Sequence, residues 1–239
     1  MVLKYGGQLM KICGLQKLTL LDFPDRVACT IFTLGCNFTC PFCQNSSLVL
    51  ADRYAPTIDE KEVLNFLESR IGLLDGVCIS GGEPTLQRDL KDFIKKVREM
   101  GYSVKLDTNG YNPDVLEDLL NENLLDFVSM DIKNSLEKYA VTAGMKHIDV
   151  EKIKKSICLL SSSRVPYELR TTIVKEFHDE NDMKAIAELV KESPVYFLQA
   201  FRDSPTNIVQ GLHPCSDEEM QKFKTILLNE GVNVKIRGE

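Results

Sequence analysis

Three cysteines, Cys36, Cys40 and Cys43, fall within eight residues in the run Gly35-Cys36-Asn37-Phe38-Thr39-Cys40-Pro41-Phe42-Cys43-Gln44-Asn45. Their spacing is C-x3-C-x2-C. Three thiolates on one short loop can converge on one metal centre. A structural zinc site needs four closed ligands, and only Cys29 is near enough in sequence to supply the fourth. Three thiolates without a fourth suit a four-iron, four-sulfur cluster that keeps one iron free of protein ligands and open to another molecule. Zinc, or three buried structural cysteines, is the competing reading of the spacing alone. The other cysteines, Cys13, Cys29, Cys78, Cys158 and Cys215, are scattered. A chain this long, with eight cysteines and no sign of secretion, is not a disulfide scaffold.

Further polar residues stand at the ends of apolar runs. Ser80-Gly81-Gly82-Glu83-Pro84-Thr85 is a glycine turn that permits close backbone approach. Asp107-Thr108-Asn109-Gly110 is a turn signal. Asp131 and Lys133 leave an apolar run as a charged pair, which on a surface contributes little. Arg170 and Gln199 interrupt apolar runs, and burial there requires a partner. His147, His178 and His213 lie near turn residues and read as surface or capping groups.

The elements that must position these residues are short and regular. Apolar runs rich in β-branched and aromatic residues cover Val27 to Leu34, Gly76 to Ile79, Ser103 to Leu106, Phe127 to Met130, Tyr167 to Val174, Val195 to Phe201 and Val232 to Ile236, as buried parallel strands should. Amphipathic helices lie between them. Thr57 and Glu60 form a capping-box pattern before Val63, Phe66 and Leu67. Leu90, Phe93, Ile94 and Val97 keep one helical face, closed by Gly101. Asn112-Pro113 opens a third helix through Leu116, Leu119 and Leu120. Ile153, Ile157 and Leu160 mark a fourth, and Met183, Ile186, Ala187 and Val190 a fifth. Ser216 and Glu219 cap a sixth. Strand alternating with helix predicts a parallel sheet with right-handed crossovers. Six such units suggest an incomplete barrel, with a flat doubly wound sheet as the competing topology. In both, chemistry belongs to the loops after the strands.

The chain has 239 residues, the size of a βα barrel kept as one domain, and buries over two thirds of its unfolded surface. Residues 1–239 read as a single domain, with residues 1–10 as an N-terminal extension. The net charge of −6 argues against a protein that grips a nucleic-acid backbone. No apolar run reaches the length of a membrane span, and the first residues lack a secretory signal pattern. The expectation is a cytoplasmic protein without nucleic-acid or membrane partners.

The cysteine spacing, with aromatic Phe42 just before the last cysteine, resembles the signature of the radical S-adenosylmethionine (SAM) superfamily. The resemblance implies a partial (β/α)6 TIM-like barrel with one [4Fe-4S] cluster on Cys36, Cys40 and Cys43. In that superfamily the open iron is chelated by the amino and carboxylate groups of SAM. One electron cleaves SAM to methionine and a 5′-deoxyadenosyl radical, which abstracts hydrogen from the substrate. Gly81, Gly82 and Glu83 are similar to the family's GGE motif, whose backbone holds the SAM amino group. Asp107, Thr108 and Asn109 resemble a ribose or methionine contact of the activating enzymes. The resemblance places Asp131 and Lys133 at SAM, the lysine toward its carboxylate, and puts Phe42 beside the cofactor; Arg170 and Gln199 are candidate cofactor or substrate contacts, with structural pairing the equal alternative for each. It implies no catalytic residue beyond the cluster and SAM site.

Within the superfamily the chain resembles the anaerobic ribonucleoside-triphosphate reductase activating proteins, relatives of the pyruvate formate-lyase activating enzyme. The carrying segments are Gly14 to Lys17, Leu20 to Pro24, Gly35 to Phe38, Ser80 to Gln87, Lys105 to Gly110, Arg170 to Thr172 and Leu198 to Phe201. Two positions depart: the family usually has glycine where this chain has Asp25, and histidine where it has Gln44. The implied reaction removes a hydrogen from one backbone glycine of an anaerobic ribonucleotide reductase, leaving a glycyl radical. Electrons would come from flavodoxin or ferredoxin. Only 37 residues separate Cys43 from Gly81, which leaves no room for a ferredoxin-like insert. Competing expectations are activation of another glycyl-radical enzyme, radical chemistry on a small molecule, or a non-catalytic zinc or iron–sulfur regulatory module.

Overall fold

The computed structural model describes residues 10–50 and 56–238. Its strands form one eight-stranded sheet in sequence order. They are β1 (Ile12–Thr19), β2 (Ala28–Thr33), β3 (Gly76–Gly81), β4 (Ser103–Thr108), β5 (Phe127–Asp131), β6 (Tyr167–Ile173), β7 (Tyr196–Ala200) and β8 (Val234–Arg237). The helices are α1 (Ser46–Val49), α2 (Glu60–Glu68), α3 (Leu90–Glu99), α4 (Pro113–Asn121), α5 (Tyr139–Thr142), α6 (Val150–Ser162), α7 (Glu180–Val190) and α8 (Asp217–Asn229). β1 pairs antiparallel with β2, and every later neighbouring pair is parallel. From β2 to β8 there are six crossovers, each carrying one of the helices α2, α3, α4, α6, α7 and α8. The six units expected from the sequence are therefore present, closed by β8. The sheet is open, with β1 and β8 as its edges, and has the partial-barrel form.

All seven apolar runs are strands. β1 was not among them: Cys13, Gly14, Gln16 and Lys17 give it no clear alternation. It is a half-exposed edge strand with register shifts between Ile12 and Gly14 and between Gln16 and Thr19. The six helices are also present, with one start displaced. The cap of α2 is Asp59, whose side chain accepts from Lys61 N, and not Thr57. Ile58 is held extended by an antiparallel bridge to Ile12, so the helix begins only after it. Ser216 and Glu219 make the expected capping box on α8. Met10 packs in the core at 4% exposure, so an N-terminal extension can reach only residue 9. Residues 1–9 lie outside the described residues.

Side chains alternate along each strand. On β4, Val104 and Leu106 join the apolar core beneath the helices, while Lys105 and Asp107 contact each other on the other face. Glu168 on β6 accepts from Ser129 Oγ on β5 at 2.9 Å and from Arg237 on β8 at 3.0 and 2.9 Å. The barrel interior is thus lined with paired charges. Among the described residues no helix is long and apolar enough to cross a membrane.

Candidate active site

The cluster-type loop, residues 34–45, leaves β2 and is tied on every side. Gly35 N donates to Leu48 O at 2.9 Å, and Gln87 Nε2 to Leu34 O at 2.7 Å. Thr39 N donates to Ala143 O at 3.0 Å and Thr39 Oγ1 to Gly144 O at 2.8 Å, which anchors the loop to the segment after β5. Val209 N donates to Pro41 O and Gln44 Nε2 to Arg202 O, both at 2.8 Å, which anchors it to the segment after β7. Phe42 packs on Phe177, ring centroids 6.1 Å apart.

This loop and the strand ends enclose a cavity of about 520 Å³. Cys36, Cys40 and Cys43 line it, as do Phe42, the Gly81-Gly82-Glu83 turn, Asp107, Thr108 and Asn109 from β4, Asp131 and Lys133 from β5, Arg170 from β6 and Gln199 from β7. Every residue singled out in the sequence as a ligand or cofactor contact borders this one space. Asp22 also lines it, though sequence reading used it only as a marker of resemblance. Its carboxylate accepts from Thr30 Oγ1.

The turn after β3 is pressed against the cysteine loop. Gly82 N donates to Thr33 O at 2.9 Å and Glu83 N to Gly35 O at 2.8 Å. A Cβ on Gly82 would stand 1.9 Å from Gly35 O, so only glycine allows this approach. Glu83 itself is 1% exposed. Its Oε1 accepts from Thr85 N, Thr85 Oγ1 and Thr108 Oγ1 at 3.1, 2.6 and 2.8 Å, and its Oε2 from Asn109 N at 2.7 Å. Burial raises its carboxyl above the usual carboxylate range, and the four donors offset only part of that rise. The side chain therefore staples the β3 turn to the β4 turn.

Beyond it runs a charge ladder. Lys105 contacts Asp107, Arg170 NH2 lies 3.2 Å from Asp107, Arg170 Nε lies 2.5 Å from Asp131, and Lys133 Nζ lies 2.8 Å from Asp131. Burial alone would raise both aspartates, but Arg170, with Lys105 at Asp107 and Lys133 at Asp131, holds them below the usual carboxylate range. Burial would lower Lys133, and Asp131 keeps it charged. Asp107, Asp131, Lys133 and Arg170 are thus held in their charged forms, with Arg170 partnered as its position in an apolar run required.

His178 is not a surface group. It is 5% exposed, with Nδ1 3.1 Å from Val174 N and Nε2 3.0 Å from Lys133 O. Burial lowers its pKa and keeps it neutral. Sequence reading missed this role because a histidine four residues past an apolar run carries no pattern. His213 is exposed and pairs with Glu176 at 2.6 Å. His147 is exposed.

Burial keeps Cys36 and Cys40 protonated. Burial pushes Cys36 up to about 12 and Cys40 up to about 11, with Lys133 the nearby cation that opposes it. Neutral thiols bordering a polar cavity are stable, yet they become ligands only when a metal displaces the proton. Cys29, the one candidate for a fourth zinc ligand, is in the core and does not line the cavity. Among the described residues no three His, Cys, Asp or Glu side chains gather around a point that would hold a single ion. The donor set, three thiols with a free side toward the cavity, fits a cluster with one open iron.

Residues 30–190, more than half the chain, match the radical SAM superfamily. An inferred glycyl-radical enzyme activating enzyme of Methanocaldococcus jannaschii is 33% identical over 232 residues, covering 95% of each chain. An inferred glycyl-radical enzyme activating enzyme of Haemophilus influenzae is 26% identical over 197 residues, covering 72% of this chain and 74% of its own. Among solved structures, a domain of a pyruvate-formate lyase-activating enzyme from Bacteroides vulgatus superposes with a TM-score of 0.57 at 22% identity, covering 68% of this chain and 99% of that one. Streptococcus suis SuiB bound to S-adenosylmethionine superposes with a TM-score of 0.66 at 13% identity, covering 86% of this chain and 48% of that one. These last two likenesses concern the fold.

Proposed function

This chain belongs to the radical SAM superfamily, and on that premise we propose that it installs a glycyl radical on an anaerobic ribonucleoside-triphosphate reductase. It is a radical SAM enzyme with homologues among glycyl-radical enzyme activating enzymes, and the family implies a [4Fe-4S] cluster and SAM. The observation that carries the reading is the single cavity in which three loop thiols face the β3, β4, β5, β6 and β7 ends.

Cys36, Cys40 and Cys43 would hold the cluster, and the cavity beside them would hold SAM. When bound, the pair supplies a one-electron cleavage that yields a carbon radical able to take hydrogen from an unreactive C–H bond. The protein's share is positioning and exclusion of water. The Gly81-Gly82 backbone offers close polar contact to an ammonium group. Lys133, pinned by Asp131, presents a fixed positive charge to a carboxylate. Asp107, held by Arg170, and Asn109, whose backbone N–H is held by Glu83, offer acceptor and donor to a ribose. Arg170, anchored between two carboxylates, keeps that wall from shifting. None of these side chains needs to gain or lose a proton.

The similarity to activating enzymes supports a glycyl-radical partner, and the segments from Gly14 to Phe201 quoted above favour a ribonucleotide reductase. Flavodoxin or ferredoxin is the proposed electron donor, in a cytoplasmic setting. The test is anaerobic. The cluster is reconstituted, SAM and dithionite are added, and 5′-deoxyadenosine is measured. The glycyl-radical ribonucleotide reductase of the same genome is then added, with pyruvate formate-lyase as control, and the radical is read by electron paramagnetic resonance. A radical only on the reductase supports the proposal. A radical only on the control moves the target to another glycyl-radical enzyme. We propose further that residues 1–239 act as one domain, so that removing residues 1–9 leaves iron content unchanged. Loss of iron in that truncation would contradict this.

A further inference from the structure

β5 ends at Asp131, and the chain then leaves the sheet. Ile132 N still donates to Arg170 O at 2.8 Å. The carbonyls of this segment have no strand to pair with, and a buried carbonyl left without a donor is destabilising. Side chains from other elements take the place of the missing strand. Tyr139, on α5, donates to Asp131 O from 3.4 Å. Thr171 Oγ1, on β6, donates to Ile132 O at 2.7 Å. His178 Nε2, in the turn before α7, lies 3.0 Å from Lys133 O. All three side chains are buried, and they meet three consecutive carbonyls.

The neighbours of Thr171 and His178 fix where their protons point. Tyr196 OH donates to Thr171 Oγ1 at 2.6 Å, which leaves the Thr171 proton for Ile132 O. Val174 N donates to His178 Nδ1 at 3.1 Å, which puts the ring proton on Nε2, facing Lys133 O. The opposite tautomer has no place for its proton. Val174 O, 3.2 Å from Nδ1, already accepts from Phe177 N and His178 N at 3.1 Å each. Asn134 Nδ2 donates to Phe177 O and to Thr142 Oγ1, both at 2.9 Å, and so locks this turn to the segment after β5.

The clamped segment presents its side chains in two directions. Ile132 packs in the core, while Asp131 and Lys133 border the cavity. Lys133 Nζ donates to Asp131 at 2.8 Å. An ammonium carries three donors, so others remain for a carboxylate in the cavity. Its four-carbon stem is flexible, and its aim depends on what holds the backbone beneath it. We propose that Thr171 and His178 are positioning residues: by holding the carbonyls of Ile132 and Lys133 they aim the Lys133 ammonium at the carboxylate of SAM. This inference rests on the reading of the cavity as a SAM site, and its test separates the two.

The test measures SAM binding to the reconstituted, oxidised protein by anaerobic calorimetry, so that no turnover enters. His178→Gln puts an amide where Nε2 stood, within reach of Lys133 O. His178→Asn puts the same amide only at the place of Nδ1, where it still serves Val174 N and misses Lys133 O. With iron and sulfide contents equal to wild type, His178→Asn should raise the Kd for SAM about tenfold, and His178→Gln should stay within about threefold. In a Lys133→Met background His178→Asn should add nothing, because His178 acts through that ammonium. Thr171→Val, of equal shape, should repeat the pattern, and it decides the matter if His178→Asn does not fold. An unchanged Kd overturns the proposal. So does an equal loss in His178→Gln, or a loss that persists in the Lys133→Met background, which marks a merely structural role. If wild type itself binds no SAM, the reading of the cavity falls instead.

Discussion

Gly82→Ala tests the closest contact in the site. The new Cβ would lie 1.9 Å from Gly35 O and 2.6 Å from Gly35 C, both backbone atoms of the cysteine loop. A carbon and an oxygen rest at roughly 3.3 Å or more, so the two loops must part by over 1 Å. Gly82 does not have a positive φ, and alanine meets no conformational obstacle there. The whole effect comes from the contact. Overpacking of this kind costs about 1–3 kcal/mol, and the 2.8 Å bond from Glu83 N to Gly35 O is lost with it, for about 1 kcal/mol more. A drop in melting temperature of several degrees follows for a chain this size. The larger effect is on chemistry. A misplacement of about 1 Å between reacting groups costs on the order of 100-fold in rate. The three cysteines are untouched, so iron content should hold while 5′-deoxyadenosine formation falls about 100-fold. Gly101→Ala is the control. Its φ is +90° and nothing lies within 4 Å of its Cβ position, so it should cost about 1–2 kcal/mol of stability and no activity. Activity of Gly82→Ala within threefold of wild type, or an equal loss in Gly101→Ala, would refute the reasoning.

Three further outcomes are expected. Cys40→Ala should abolish SAM cleavage and lower iron content while circular dichroism stays native, because Cys40 contributes one thiol among many core groups; retained cleavage would show that the ligand assignment is wrong. Asp25→Gly should stabilise the protein by about 0.5–1 kcal/mol, since Asp25 holds φ 59° in a region that disfavours side chains; a denaturation midpoint at or below wild type contradicts this. His178 is buried neutral with its pKa lowered from 6.5, so the unfolded chain binds the proton more readily. Its contribution to stability is present above pH 6.5 and is lost as pH falls through the folded value. His178→Gln should flatten that decline in pH-dependent denaturation, and an unchanged slope would show that His178 does not titrate with folding.

Strands and helices with one dominant period were legible from residue order. Leu90, Phe93, Ile94 and Val97 read as a helical face and lie buried on α3. β1 was not legible, because an edge strand with two register shifts has no face to alternate against. The start of α2 was misplaced because the bridge from Ile58 to Ile12 is a contact between distant residues. The site shows the same division. Residues at strand ends could be gathered by topology alone, since a parallel sheet brings its carboxyl ends together. Asp22 and His178 act through contacts across the fold, and no local pattern marks them.

The two departures from the resembled family acquire physical meaning in this light. Asp25 occupies a left-handed backbone position, which is the conformation a glycine there would serve. The loop therefore keeps the glycine-type backbone and bears a conformational cost in stability. Its neighbours confirm that the loop is in place: Phe23 is 2% exposed and packs against Phe127 at 6.4 Å, and Asp22 reaches the cavity wall. Gln44 replaces a ring with an amide that donates to Arg202 O. That bond joins the cysteine loop to the segment after β7, the same junction made by Val209 N and Pro41 O. Both substitutions act on how the loops are held and neither alters a thiol. If this is right, Gln44→His should leave iron content unchanged and shift SAM affinity only modestly, whereas Gln44→Ala, which cuts the tie without a replacement, should raise the KM for SAM more than it lowers kcat. A Gln44→Ala enzyme that loses iron would place residue 44 among the groups that hold the cluster.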